Sequence, residues 1–236
     1  MLATLVVFVA AERREFSGLL RRARDVRRLS SPLSFAAAGS LNGAPVLMVA
    51  NGPGPALAGE AARWAMAERE QVALVSTGYC GALQRDVSIG DIIVASCVHA
   101  PDSGDVYAAS APVCDRAHHS GVVVSVDRVI GTPEEKRRLG RDGALAVEME
   151  AAAVAQAARE TGASFHCVRA VTDGVDEGFE FDLNAARGAD GRFRTARIVS
   201  DALLRPWRGV PQLMRLLRSS GRASEALGDF FGQCQF

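Results

Sequence analysis

Residues 144–177, ALAVEMEAAAVAQAARETGASFHCVRAVTDGVDE, constrain the fold more than any other stretch of this chain. They read as a strand end, a helix, a turn, a second strand and an acidic loop. Ala151 to Glu160 is almost all strong helix formers, chiefly alanine. Gly162 follows where helices commonly stop. Ser164 to Val171 is short and mostly apolar, as expected of a strand covered on both faces. Two acidic clusters bracket it: Glu148 and Glu150 before the helix, Asp173, Asp176 and Glu177 after the second strand. Ligands of open parallel sheets bind beyond the carboxyl ends of the strands. Asp173 falls there and is a candidate acid/base group. Acidic residues also favour helix first turns and loops for purely structural reasons, so the pattern alone leaves both readings open.

The rest of the chain reads as further alternation of strands and helices. Leu2 to Val9, within an apolar N-terminal run that lacks a basic leader, reads as a buried first strand rather than a signal peptide. It turns at Ala10–Phe16 into a helix with Phe16, Leu19 and Leu20 on its apolar side. Glu12 or Glu15 at that turn faces a ligand or solvent. The run from Arg21 to Arg28 reads as a solvated helix face. Asn42-Gly43 signals a hairpin within Phe35–Ala50. Asn51–Pro55 is a glycine/proline loop before a helix over Ala56–Glu68. Val72–Val75 reads as a strand that ends in a small, glycine-bearing loop, Ser76–Leu83. Residues 101–116 read as an irregular loop able to cover a site. Thr132-Pro133 opens a helix as N-cap and first helical position. Beyond Ile198–Leu204, a helix, the chain from 205 to 236 reads as a separate amphipathic helical tail. It would pack on the body or a second subunit, or else touch a lipid surface.

Several classes are disfavoured. Lys+Arg and Asp+Glu are 27 each, so no global charge invites nucleic acid. No apolar run is long enough to cross a membrane. The five cysteines lack pairing or ligand spacing, and the four histidines lack a metal-binding pattern, so no metal and no cofactor are expected. Cysteine usage suits the cytoplasm. There is no Walker loop, no Gly-x-Ser-x-Gly elbow and no dinucleotide fingerprint.

The pair VEMEAAAVA and VRAVTDGVD resembles the signature of the purine nucleoside and uridine phosphorylase superfamily. Within it, the chain is most similar to methylthioadenosine/adenosylhomocysteine nucleosidases and hopanoid-associated phosphorylases. Ser76–Leu83 followed by Ile89–Val94 is similar to that family's glycine-loop block, so the likeness covers roughly residues 2–200. It implies an α/β fold, a three-layer sandwich around a twisted mixed sheet, often dimeric. It also implies roles. Asp173 would protonate a purine leaving group, with Thr172 in support. Glu15, or failing that Glu12, would activate water. Glu150, with Glu148 beside it, would bind the ribose hydroxyls and Met149 would pack under the sugar. Thr77, Gly78, Tyr79 and Gly81 would line the sugar and base pocket, and Val129 and Ile130 would border the base. Val129 stands where those nucleosidases place an aromatic ring, and Tyr79 where a smaller residue is usual. Ser76 and the Ala10–Glu12 turn stand where the phosphorylases place phosphate-binding arginines, which favours water as the nucleophile. The implied activity is hydrolysis of the N-glycosidic bond of a 5′-substituted purine nucleoside. The alternatives are phosphorolysis of adenosylhopane or a similar nucleoside, with Arg13 and Arg14 as possible phosphate ligands, and nucleoside binding without turnover.

Overall fold

In the computed structural model, which describes residues 4–69 and 71–236, the first strand β1 (Leu5–Ala10) is buried from Val6 onward. Leu2 lies outside the described residues. A 3-10 turn, Arg13–Phe16, leads into the short helix α1 (Ser17–Arg22). The basic run then departs from the expected helix. Arg24–Arg28 forms an exposed edge strand, β2, antiparallel to β3 (Phe35–Leu41). A charged edge strand of this kind discourages pairing with other chains, and the same charges mimic a solvated helix face in the sequence. Strand β4 (Ala44–Ala50) completes the hairpin through Asn42 and Gly43, with φ of 51° and 82°. Both left-handed residues are what a tight two-residue turn requires. Helix α2 (Pro55–Met66) follows.

Strand β5 (Val72–Ala82) is longer than its composition suggests. The glycine-bearing segment expected to loop continues as strand, because β10 (Ser164–Asp173) pairs with it in parallel along nearly its whole length. Between them lie β6 (Ile92–Ala100), β7 (Asp105–Ala108), β8 (His119–Ser125), helix α3 (Pro133–Leu139), β9 (Ala146–Glu148) and helix α4 (Ala151–Thr161). Thr132 caps α3 by accepting the Glu135 N–H at 3.3 Å. Gly162 ends α4 at φ 70°. Residues 101–116, expected to be an irregular cover, contain β7, which hydrogen-bonds to β6.

Among the described residues, ten strands form one mixed sheet, in the order β10-β6-β8-β9-β5-β1-β4-β3-β2 with β7 on β6. Because β10 also pairs with β5, the strands β5, β10, β6, β8 and β9 close into a ring, and β1 to β4 extend from it as a wing. Alanine-rich α2 and α4 pack against one face, through Ala58, Ala61, Ala62, Val154 and Ala158. Helix α5 (Thr195–Leu204) precedes the last helix, α6 (Gly209–Phe231). Ala223, Leu227, Phe230 and Phe231 of α6 join Phe8, Leu19 and Met48 in the core of the opposite face. The sheet between helical layers agrees with the expected α/β sandwich. The second half of the C-terminal tail is part of that body.

Candidate active site

A cavity of about 190 Å3 opens at the carboxyl ends of β1, β5 and β10. Arg169 anchors it. This arginine is fully buried in a mostly apolar strand. One Nη donates to Ser76 Oγ at 2.7 Å and pairs with Glu148; the other pairs with Glu150 Oε2 at 3.2 Å. Burial works against its charge, but the Glu148 and Glu150 carboxylates outweigh this and raise its proton affinity, so it stays charged.

Glu148 and Glu150 open helix α4. The Glu148 carboxylate accepts the Glu150 and Ala151 N–H groups, at 2.9 Å each, capping the helix while holding Arg169. Its side chain is fully buried, and the residue borders the cavity. Glu150 accepts the Gly54 N–H at 3.0 Å from the loop after β4. Burial raises its pKa, and Glu148 adds to this against the pull of Arg169.

Of the two glutamates at the first strand-to-helix turn, Glu15 is the buried one. Its Oε1 accepts the Glu12 N–H at 3.0 Å, which fixes the side chain over β5. Glu12 lies at the mouth and pairs with Arg14 at 2.7 Å. Gly78 makes the close approach of Glu15 possible: a Cβ there would stand 2.0 Å from Glu15 Oε2. Burial, then the Glu150 charge, push the Glu15 pKa up to about 8.

Asp173 ends β10 beyond a bulge: Val171 pairs with Cys80 and Asp173 with Gly81, leaving Thr172 as the extra residue. Bulges re-aim side chains; this one brings both Thr172 and Asp173 to the cavity. Gly81 has no side chain to obstruct Asp173, whose Oδ2 lies 2.9 Å from where a Cβ would be. Thr172 Oγ is 2.8 Å from Asp173 Oδ1 and 3.3 Å from the Cys80 carbonyl. Its single proton can therefore serve an ionised Asp173, or turn to the carbonyl while accepting from a protonated one. Asp173 Oδ2 pairs with Lys136, a wholly buried lysine of α3. The other two Lys136 donors reach the carbonyls of Gly174 and Glu177 at 2.8 and 2.9 Å.

Met149, Tyr79, Gly81, Val129 and Ile130 border the same cavity, as expected. The Ile130 peptide N–H and carbonyl have no partner among the described residues, whereas both of Val129's are held by the Asn184 side chain at 2.8 and 2.9 Å. Thr77 and Gly78 do not border it. Extended β5 leaves Thr77 buried outside the cavity wall, and Gly78 lies beneath Glu15. Residues 101–116 contribute nothing to the lining. The Tyr79 hydroxyl bonds to Ser224 of α6, so the ring ties the last helix to the site; burial pushes its pKa up to about 12.

Sequence reasoning missed four contributors. Lys136 is one of three consecutive basic residues in α3, and nothing local says which turns inward. Arg169 had a visible signal, an arginine inside an apolar strand. Phe179 and Phe193 border the cavity from a segment that reads as irregular and polar. They supply the aromatic surface absent at Val129.

A second, larger cavity, about 620 Å3, shares Val129 and Phe179 with the first and continues past Phe181, Leu183 and Leu204.

The sequence profile of the Phosphorylase superfamily matches residues 4–204. A 5′-methylthioadenosine/S-adenosylhomocysteine nucleosidase of Staphylococcus epidermidis is 25% identical over 196 residues, covering 72% of this chain and 86% of its own length. Among solved structures, the nucleosidase of the same name from Neisseria meningitidis, in complex with methylthio-immucillin-A, has a TM-score of 0.70 at 20% identity, over 96% of this chain and 97% of that one. A futalosine hydrolase mutant of Helicobacter pylori has a TM-score of 0.67 at 17% identity, over 95% and 96%. These structures share the fold described above.

Proposed function

The chain belongs to the phosphorylase superfamily, and from that premise we propose that it is a nucleosidase, hydrolysing the N-glycosidic bond of a 5′-substituted, adenosine-type nucleoside. One observation carries the reading: a buried glutamate and a buried aspartate border one cavity, the first over Gly78 and the second beside Gly81. Three residue rises along β5 set those positions roughly 10 Å apart. That leaves room for a sugar and a water between a base and an acid, the division of labour of inverting glycoside hydrolysis.

Cleavage builds positive charge at C1′ and negative charge on the base. Asp173 donates its proton to the ring nitrogen of the departing purine as the C–N bond breaks. Thr172 and Lys136 then hold the carboxylate that remains. Glu15 accepts a proton from the attacking water, whose oxygen bonds to C1′. The relative's name, a methylthioadenosine/adenosylhomocysteine nucleosidase, supports the substrate class. Ile130's free donor and acceptor suit the edge of an aminopurine, and Phe179 and Phe193 its faces.

Water is favoured over phosphate on electrostatic grounds. Glu15, Glu148 and Glu150 surround a single guanidinium, Arg169. A phosphate dianion brought to that spot would add charge of the sign already in excess. Arg14 and Arg128 at the mouth are paired with Glu12 and Glu135. The size of the second cavity favours a 5′ substituent larger than methylthio.

The test is adenine release from methylthioadenosine, adenosylhomocysteine and adenosine, each with and without phosphate. Release independent of phosphate, and lost in Asp173→Asn, is expected. Release only with phosphate would replace hydrolysis by phosphorolysis, and full activity of Asp173→Asn would sink the assignment.

A further inference from the structure

Apart from Phe193, which borders the first cavity, and the few residues that line the second, residues 192–222 have no part in the chemistry above, yet their composition is unlike the rest of the chain. They hold eight arginines and one acidic residue, Asp201, a formal charge of +7 in a chain whose total is zero. Arg197, Arg208 and Arg218 have no carboxylate partner among the described residues. Exposed apolar side chains gather in the same place. Of nine large ones among the described residues, six lie here: Val199, Leu203, Leu204, Trp207, Met214 and Leu217. Leu204 is 81% exposed and Trp207 91%, values that only side chains standing clear of their neighbours reach.

These groups sit on a built corner. Helices α5 and α6 meet where Gly209 faces Ala202, so closely that a Cβ on Gly209 would lie 2.5 Å from the Ala202 carbonyl oxygen. The Gly209 N–H donates to the Arg205 carbonyl at 2.7 Å. Val199 and Leu203 are four apart on α5. Met214 and Leu217 are three apart on α6, on the side away from the buried Ser219 and Ala223. The corner thus presents an aromatic and aliphatic tip flanked by unpaired guanidinium groups.

We propose that this corner docks on an anionic lipid bilayer. Trp207, Leu203 and Leu204 would enter the boundary between headgroups and acyl chains, while Arg197, Arg208 and Arg218 meet lipid phosphates. Among the described residues no helix is long and apolar enough to cross a membrane, so the contact is interfacial. A second copy is a poorer occupant, because a two-fold interface would set this positive segment against itself. A protruding tip also lacks the walls that an ordinary protein interface shares with its partner, whereas a fluid bilayer needs none. Leu204 and Arg205 border the larger cavity as well, so docking would turn that side of the molecule toward the membrane. The inference stands independently of the nucleosidase reading.

The experiment is co-sedimentation of the full chain with vesicles of phosphatidylcholine, with and without about one-third phosphatidylglycerol. Binding is expected only to the anionic vesicles, and should fall about tenfold when salt is raised from roughly 0.1 to 0.5 M. Trp207→Ala and the pair Arg208→Glu with Arg218→Glu should each weaken it about tenfold. The same variants should release adenine in free solution at the unaltered rate, which reports that they are folded. Equal binding to both vesicles, no binding, or binding indifferent to these substitutions would overturn the proposal. Concentration-dependent dimerisation lost in Trp207→Ala, without vesicle binding, would give the corner to a second copy instead. Vesicle binding by a protein that cleaves no nucleoside would leave the docking in place and remove the nucleosidase reading.

Discussion

Glu15 carries the clearest pH signature. The unfolded chain releases its proton near 4.5 and the folded chain near 8. Between those values the folded state binds the extra proton, so stability falls as pH rises from about 4.5 to about 8 and is level above. Glu15→Gln removes that penalty. Its melting temperature should match the parent at pH 4.5 and exceed it by several degrees at pH 9, by calorimetry. Turnover should meanwhile fall at least about a hundredfold, as for loss of a general base. In the parent, kcat/KM should climb with pH toward a limb near 8. Lys136 makes the opposite kind of claim. Lys136→Met leaves the Asp173 carboxylate without its partner and should cost about 3 kcal/mol. The double variant Lys136→Met with Asp173→Asn should recover much of this in denaturant melts. Asp173, Glu150 and the Glu12/Glu15 alternative were legible in the sequence, because acidic residues at strand ends and helix starts mark themselves. Lys136 was not: the inward turn of one helical lysine is decided by what α3 packs upon.

At the scale of elements, the hairpin at Asn42-Gly43 and the α4 stop at Gly162 were legible because each needs a backbone conformation that few residues adopt. The length of β5 was not. Gly78 and Gly81 look like a loop in one dimension, yet each is where a carboxylate lies against the strand. Gly78→Ala should therefore lower both turnover and the thermal midpoint, since its φ is 132° and its Cβ would collide with Glu15. Helix α6 makes a similar demand on α1. A Cβ on Gly228 would lie 2.3 Å from the Gly18 carbonyl carbon. Gly228→Ala should destabilise by about 1–3 kcal/mol, read as a lowered thermal midpoint, because neither backbone can retreat from a packed core. The basic strand β2 escaped the sequence because charge patterning cannot tell a guarded sheet edge from a wet helix.

Taken whole, the alternation of strands and helices was legible, and with it the α/β class. The closure of β5, β10, β6, β8 and β9 into a ring was not, since it depends on β5 pairing with three strands, β1, β9 and β10. The last helix was legible only as one of three open readings, packing on the body, on a second subunit or on lipid, and the first is the one found. Leu227, Phe230 and Phe231 fill the core beside Phe8, Phe16 and Met48, and Ser224 bonds to both Tyr79 and the Arg14 carbonyl. A chain cut after Arg205 should lose near-ultraviolet circular dichroism and bind a hydrophobic dye, rather than merely lose a peripheral surface. This placement has a consequence for biosynthesis. Domains tend to fold from the amino end as they emerge from the ribosome, but here the apolar face of β1 and β4 stays bare until residues beyond 223 have been made. A nascent chain stalled short of Leu227 should remain sensitive to protease and bound by chaperones, and resistance should appear abruptly once Phe230 and Phe231 clear the exit tunnel.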